Sequence, residues 1–155
     1  MTGSSPELAI LVGLPGAGKS SFYRDRLQDT HVLVSKDLMP NVRDRGARQS
    51  ALVEKALAAG QSVAVDNTNP RRADRAPLIA AARAHGARVV AYVFATTARE
   101  CLARNHGREG KARVPPVAIH TAAKKMESPS LAEGLDAVLY VRADAGAFDI
   151  ITTQS

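Results

Sequence analysis

The fold of this chain is decided by one stretch, Leu8-Ala9-Ile10-Leu11-Val12-Gly13-Leu14-Pro15-Gly16-Ala17-Gly18-Lys19-Ser20. The first five residues are apolar and indicate a buried strand, whereas the glycines that follow are typical of a tight turn. The residues from Lys19 onward fit the first turns of a helix. A glycine-rich turn between a strand and a helix is the setting in which the pattern G-x-x-x-x-G-K-[ST] forms a P-loop. We therefore predict a P-loop over residues 13–20.

The P-loop pattern also predicts how a triphosphate is held. Its glycines let backbone N–H groups point inward around phosphates, and the helix N-terminus adds partial positive charge. We expect Lys19 to reach the β- and γ-phosphates and the Ser20 hydroxyl to hold Mg²⁺. A glycine-rich turn without a ligand is the alternative. The predicted site for Mg²⁺ and ATP, or another nucleoside triphosphate, comprises Gly13, Pro15, Gly16, Ala17, Gly18, Lys19, Ser20 and Ser21.

Length and composition are those of an ordinary globular domain. The chain has 155 residues, 45% of them hydrophobic and 23% charged, so we expect one domain over residues 1–155. Its one cysteine, Cys101, excludes an internal disulfide and a cysteine-based zinc site. The sequence shows no apolar run of membrane-spanning length and no signal peptide, which predicts a cytoplasmic protein without a membrane partner. The net charge of +6 weakly favours a polyanionic partner.

Strands and helices are predicted to alternate along the chain. We expect buried strands at 8–12, 31–35, 62–65, 88–95 and 137–141, with a short final strand at 148–151. Helices are expected from 19 to about 30, at 49–59, from Pro70 to about 86 with Asn69 as N-cap, around 100–102, and at 116–126. This alternation predicts an α/β fold, a P-loop NTPase-like three-layer sandwich with a parallel sheet of about five strands.

Two aspartates follow strands that neighbour the P-loop strand in this prediction. Asp37 comes after the second strand and Asp66 ends the third, so both should face the ligand edge of the sheet. Phosphoryl transfer to a hydroxyl uses a carboxylate that orients the nucleophile and accepts its proton. The alternative is that each aspartate only caps a turn.

Basic residues form a second candidate feature. The segment 104–113 contains three arginines and two glycines, which is typical of a mobile lid that reaches phosphates and excludes water. A solvated basic loop is the alternative. Two further groups are candidates for lining an acceptor groove or for simple exposure: Arg43, Arg45 and Arg48, and Arg71, Arg72 and Arg75.

Taken together, these motifs resemble the kinase domain of the polynucleotide 5′-kinase/3′-phosphatase family, from residue 8 to about 142. The resemblance is carried by the P-loop, Ser35-Lys36-Asp37, Val65-Asp66-Asn67-Thr68-Asn69-Pro70, Arg104-Asn105 through Arg108, Val114-Pro115, and Glu127-Ser128-Pro129-Ser130-Leu131-Ala132-Glu133-Gly134. It implies transfer of the γ-phosphate of ATP to a 5′-hydroxyl end of DNA or RNA.

The resemblance also implies roles for single residues. Asp37 matches the general base, while Arg104 and Arg108 match lid arginines that contact ATP, in a lid of about 104–114. With Lys19, these are the expected catalytic residues. Asp66 matches an acidic position whose role is open between acceptor positioning and support of the metal shell. The expected acceptor-binding residues are Asp37, Arg43, Asp66, Asn67, Thr68, Asn69 and Arg72.

Two departures from the family pattern stand out. Phage and bacterial relatives have an acceptor-phosphate arginine about one helical turn after the general base, but Leu38, Met39 and Pro40 occupy that space here, and Arg43 is the candidate replacement. No Asp-x-Asp-x-Thr phosphatase motif is present. The expected partner is therefore a separate phosphatase or ligase. Two alternatives stay open: a small-molecule P-loop kinase, and a nucleotide-binding regulatory module with little turnover.

Overall fold

The structure, a computed structural model, describes residues 5–39, 41–94, 99–101, 115–144 and 147–154. The predicted lid at 104–114, with Arg104 and Arg108, lies outside this part of the chain, so its role stays a prediction. Within the described residues, no helix is long and apolar enough to cross a membrane.

Six strands form one sheet in the order β2-β3-β1-β4-β5-β6. Their bounds are Glu7–Val12 (β1), His31–Val34 (β2), Ser62–Asp66 (β3), Arg88–Phe94 (β4), Ala137–Asp144 (β5) and Ala147–Gln154 (β6). The first five strands pair in parallel, as predicted. Since β1 lies between β3 and β4, the P-loop that follows it leaves the middle of the sheet.

Helices cover both faces of this sheet. They span Lys19–Phe22 (α1, continued by a π-helical stretch Tyr23–Leu27), Arg45–Ala58 (α2), Arg72–Ala84 (α3) and Pro116–Lys125 (α4). Side chains of β1 alternate between two cores, because successive residues of a strand point to opposite faces. Ile10 packs in the core built with α2 and α3, whereas Leu11 packs in the core built with α1 and α4. This confirms the predicted three-layer α/β sandwich.

The prediction that the second strand is buried is wrong for most of β2. This strand lies at the edge of the sheet, where Val32 is 42% exposed and only Val34 is buried. An apolar run does not reveal whether a strand has one neighbour or two, since that depends on the long-range order of the sheet.

Two helix starts also differ from the prediction. Helix α2 begins four residues early because the Asp44 side chain accepts a hydrogen bond from the Ala47 N–H at 3.0 Å and caps it. Helix α3 begins at Arg72 with Arg71 as its N-cap, so the prediction that Asn69 caps it is wrong. Asn69 has a φ of 45°, in the left-handed region, whereas an N-cap needs extended backbone.

The final strand is longer than predicted and runs antiparallel to β5. Its Phe148 ring lies 5.4 Å from the Phe22 ring in an edge-to-face arrangement. One Arg26 guanidinium nitrogen donates to the Phe148 carbonyl at 2.7 Å. These contacts tie the last strand to the helix that follows the P-loop.

A buried ion pair joins α3 to the segment before β5. The Arg75 guanidinium donates to both carboxylate oxygens of Glu133, at 2.8 and 3.0 Å, and the two side chains are only 0% and 4% exposed. A third Arg75 nitrogen donates to the Asn69 carbonyl at 2.9 Å. The alternative that Arg75 lines an acceptor groove is therefore wrong, because its charge is neutralised inside the protein.

We predict that Glu133→Gln lowers the free energy of unfolding by about 3 kcal/mol, since it leaves the Arg75 charge buried without a counter-charge. Asp25→Asn is the matched control, because it breaks an exposed pair with Arg26 and should cost less than about 1 kcal/mol. Urea unfolding of both variants measures the difference. Equal losses would show that the buried pair contributes no more than an exposed one.

The same pair predicts a pH dependence. Burial raises the pKa of Glu133, but hydrogen bonds from Arg75 and from the Ser130 N–H outweigh it, so the pKa lies below the ordinary value of 4.5. A carboxylate with a lowered pKa contributes stability above pH 4.5 that is lost as the pH falls through the lowered pKa. Glu133→Gln should remove this part of the acid destabilisation, as measured by unfolding between pH 7 and pH 3.

Candidate active site

The carboxyl ends of β1, β2 and β3 meet at one cavity of about 980 Å³. Among the described residues, its walls come from the P-loop around Lys19, the turn that carries Asp37, the segment Asp66–Arg71, and helix α4 through Thr121 and Lys125. Parallel strands bring their carboxyl ends to one edge, which is why three separate stretches of sequence reach the same cavity.

Glycine is required at three positions of the P-loop. Gly16 and Gly18 have φ values of 84° and 101°, which side chains rarely adopt. A Cβ on Gly13 would lie 2.9 Å from the Cβ of Phe94, so β4 packs too closely for any side chain there. The loop therefore keeps its backbone exposed toward the cavity.

Lys19 is a buried residue, only 8% exposed, and its ammonium group lies over this loop. Its Nζ donates to the carbonyls of Gly13 and Leu14, at 2.9 and 2.8 Å. The cation is thus held beside the positively polarised start of α1, where an anion is favoured. This arrangement can bind the phosphates of a nucleotide.

Ser20 and Asp66 form the polar contact next to the loop. The Ser20 hydroxyl donates to a carboxylate oxygen of the buried Asp66 at 2.7 Å. A hydroxyl oxygen and a carboxylate oxygen are ligands of the kind that Mg²⁺ prefers. These two oxygens are therefore of the kind that fits Mg²⁺. The contact with Ser20 favours a role for Asp66 in the metal shell over a role in acceptor positioning.

Asp37 lies on an exposed 3₁₀ turn, Lys36–Leu38. The turn begins at Ser35, whose hydroxyl accepts a hydrogen bond from the Asp37 N–H at 3.2 Å. Because the backbone of Asp37 is fixed in this way while its side chain stays exposed, the carboxylate is accessible to a hydroxyl in the cavity.

Asn67 connects this turn to α2. Its Oδ1 accepts from the Lys36 N–H at 3.0 Å, and its Nδ2 donates to the Gln49 Oε1 at 2.6 Å. Gln49 is buried and also lines the cavity. From the sequence it was predicted only as the first residue of a helix. Asn67 therefore positions Asp37 through the backbone of Lys36.

The next two residues hold the P-loop itself. The Thr68 carbonyl accepts from the Gly13 N–H at 3.2 Å. The buried Asn69 donates through its Nδ2 to the Leu11 carbonyl at 2.8 Å, so this amide nitrogen serves β1. We interpret Asn69 as a positioning residue, although its atoms contribute to the cavity wall.

The predicted site residues divide into three sets. Those that line the cavity are Pro15, Gly16, Gly18, Lys19, Ser20, Ser21, Asp37, Asp66, Asn67, Thr68 and Asn69. Gly13, Ala17, Arg43 and Arg72 are described but do not line it. Arg104 and Arg108 lie outside the described residues. Arg24 and Lys125 also line the cavity but were not predicted, because each carries a charge without a motif. Arg71, a candidate for an acceptor groove, and Lys36, from the motif before Asp37, line it as well.

The fold and this site define a P-loop domain with a kinase-like α/β fold. A protein-family model described as an AAA domain matches residues 8–129, well over half of the chain, and the chain belongs to that family.

Three solved structures illustrate the similarity. A gluconokinase from Sinorhizobium meliloti 1021 is 20% identical with a TM-score of 0.64, over 90% of this chain and 84% of that one. Kti12 from Chaetomium thermophilum, in complex with ADP-AlF3, is 17% identical with a TM-score of 0.71, over 88% of this chain and 89% of that one. A chain of the Pnkp1/Rnl/Hen1 complex is 27% identical with a TM-score of 0.57, over 72% of this chain and 43% of that one. At their identities, the first two show the shared fold alone.

We predict that Lys19→Ala weakens ATP binding by about tenfold or more, because a charge-assisted hydrogen bond to phosphate is lost. Isothermal titration with Mg²⁺ and ATP measures the affinity. Lys55→Ala is the matched control, since Lys55 is exposed on α2 and does not line the cavity. Unchanged affinity in Lys19→Ala would place the phosphates elsewhere.

We also predict that Asn67→Ala loosens the turn that carries Asp37. The Lys36 N–H loses its acceptor, so hydrogen exchange of that amide should accelerate about tenfold. Mass spectrometry of overlapping peptides that begin at or before residue 33 and end at residue 39 measures the rate. Asn67→Asp is the control, because it keeps an acceptor oxygen for Lys36 while losing the donor to Gln49. Identical exchange in Asn67→Ala and the parent protein would contradict the positioning role.

Proposed function

We propose that this protein is an ATP- and Mg²⁺-dependent kinase that transfers the γ-phosphate to 5′-hydroxyl ends of DNA or RNA. The observation that carries the proposal is the exposed carboxylate of Asp37 in the same cavity as the P-loop lysine, Lys19. A triphosphate held by the loop and a hydroxyl beside Asp37 would share one enclosed space.

The proposed reaction divides the chemistry among a few groups. As the 5′-oxygen bonds to the γ-phosphorus, its proton passes to the Asp37 carboxylate. The bond from the γ-phosphorus to the bridging oxygen breaks, and ADP leaves. Lys19 holds the phosphates by charge. Mg²⁺, which Ser20 and Asp66 would hold, supplies neutralising charge when it is bound.

Two observations support a polynucleotide acceptor. The stretch Asp66-Asn67-Thr68-Asn69-Pro70 is one of the motifs that resemble the polynucleotide 5′-kinase/3′-phosphatase family. Basic side chains also outnumber acidic ones on the cavity walls: Lys19, Arg24, Lys36, Arg71 and Lys125 against Asp37, Asp66 and Asp74. This balance favours an acceptor that carries negative charge of its own.

A small-molecule acceptor is the second candidate. Leu38 is 64% exposed and directly follows Asp37, in the region where the family resemblance implies a phosphate-binding arginine. An apolar side chain there favours a small hydroxyl compound without a phosphate. A regulatory module with little turnover is a third reading, which Lys19, Ser20 and the accessible Asp37 argue against.

We also propose that a phosphatase or ligase partner acts on the same nucleic-acid ends, because the motifs resemble a family that joins kinase and phosphatase activities. The proposed location is the cytoplasm, in keeping with the single cysteine.

We predict that the protein labels a 5′-hydroxyl oligonucleotide from γ-labelled ATP. Asp37→Ala should lower kcat by about 100-fold or more, because the general base is lost, while ATP affinity stays unchanged. Asp29→Ala is the matched control, since Asp29 is exposed beside the opposite end of β2 and does not line the cavity. Label transfer and titration calorimetry give the two readouts.

Two results would contradict the proposal. Transfer to gluconate or another small alcohol, without transfer to DNA or RNA ends, would support the second candidate. Turnover of Asp37→Ala within a few-fold of the parent protein would show that another group accepts the proton.

A further inference from the structure

Two basic side chains on the acceptor side of the cavity are not paired with any carboxylate that the structure describes. Arg71 and Lys125 are exposed and line the cavity. Within the described part of the chain, neither forms an ion pair, in contrast to Arg26, Arg75 and Arg83. Cations gathered on one concave wall without partners attract an anionic ligand.

The backbone brings these two residues together although 54 positions separate them in sequence. The Glu127 N–H donates to the Pro70 carbonyl at 2.6 Å, and the Arg72 N–H donates to a Glu127 carboxylate oxygen at 3.1 Å. The two hydrogen bonds join the residues just after α4 to the start of α3. Arg71 lies between the two partners of Glu127, and Lys125 lies two residues before it.

Nearby carboxylates are engaged with backbone donors. Glu127 accepts from the Arg72 N–H, and Asp74 accepts from the Arg71 N–H at 3.0 Å. Asp74 also lines the cavity, so it moderates the positive charge of this wall. Neither carboxylate forms an ion pair with the Arg71 or Lys125 side chain, which stay available to a ligand.

This wall lies close to the proposed base. Asn67 contacts the turn of Asp37, and Pro70 contacts the end of α4. Arg71 is four positions after Asn67, so their Cα atoms are at most about 14 Å apart. A phosphate near a hydroxyl that faces Asp37 is therefore within reach of long side chains on this wall.

We propose that Arg71 and Lys125 bind a phosphate of the acceptor, the one on the 3′ side of the nucleotide that presents its 5′-hydroxyl to Asp37. The proposal rests on the proposed function. It gives the acceptor phosphate a site on α3 and α4, whereas Arg43, the replacement suggested by sequence, does not line the cavity. The planar guanidinium and the ammonium ion supply charge-assisted hydrogen bonds to phosphate oxygens.

The test compares two acceptors and three proteins. One oligonucleotide has ordinary linkages, and the other has an uncharged methylphosphonate at its first linkage. The proteins are the parent, the double variant Arg71→Ala/Lys125→Ala, and Lys124→Ala. Lys124 is the matched control, because it is exposed on the same helix but does not line the cavity.

The parent and Lys124→Ala should lose about tenfold in kcat/KM when the first linkage is neutralised. The double variant should lose about tenfold or more on the ordinary oligonucleotide, with less than about twofold further loss on the neutral linkage. ATP affinity should be equal in all three proteins. In a supporting experiment, a fourth protein, Arg71→Lys/Lys125→Arg, keeps both charges and should retain most of the preference for the charged linkage.

The outcomes separate the two proposals. If the parent protein labels no 5′-hydroxyl end, the proposed function fails. If it labels ends but the double variant still distinguishes the two linkages tenfold, the phosphate site proposed here is wrong while the kinase activity stands. A double variant that has lost ATP affinity together with turnover would likewise overturn the assignment, since the pair would then serve the donor side.

Discussion

The site depends on how Asn69 is held. This buried residue has left-handed backbone, its side chain donates to the Leu11 carbonyl of β1, and its own carbonyl accepts from the buried Arg75. Asn69 is thereby fixed to the central strand on one side and to α3 on the other. The segment on either side of it makes the contacts of the site: Asp66 reaches Ser20, and Asn67 reaches the turn of Asp37. One constraint therefore aligns the donor and acceptor sides of the cavity.

The constraint is stabilised from outside the cavity. Arg75 holds Asn69 only while its charge is balanced, and that balance comes from Glu133, a residue 58 positions away in sequence. Glu133 in turn accepts from the Ser130 N–H at 2.9 Å, so the turn before β5 is part of the same network. A residue remote from the reacting groups can thus affect the geometry of the cavity through two hydrogen-bonded steps. Such coupling places Arg75 and Glu133 among the residues that shape the site, although neither lines the cavity.

The sequence predicts the parts of this arrangement that local patterns determine. Alternating strands and helices identified the sandwich, and the glycines with Lys19 identified the donor side, because these features depend on neighbouring residues. The sequence did not predict that β2 is largely exposed, that α3 starts at Arg72 or that Arg75 is buried, since each depends on a partner far away in the chain. Asn69 shows the difference most clearly. Its position before proline fits a helix cap, but a hydrogen bond to β1 holds it in another conformation.

The two sides of the cavity are built from different kinds of groups. This difference affects which ligands each side can recognise. The P-loop side uses backbone groups, glycines with fixed conformation and a buried lysine, Lys19, so it is preorganised for phosphate groups. The proposed acceptor side uses exposed side chains such as Asp37 and Arg71. A fold of this kind can therefore keep its phosphate site while the residues that face an acceptor change. Charge on the acceptor wall is consequently better evidence about the substrate than the fold is.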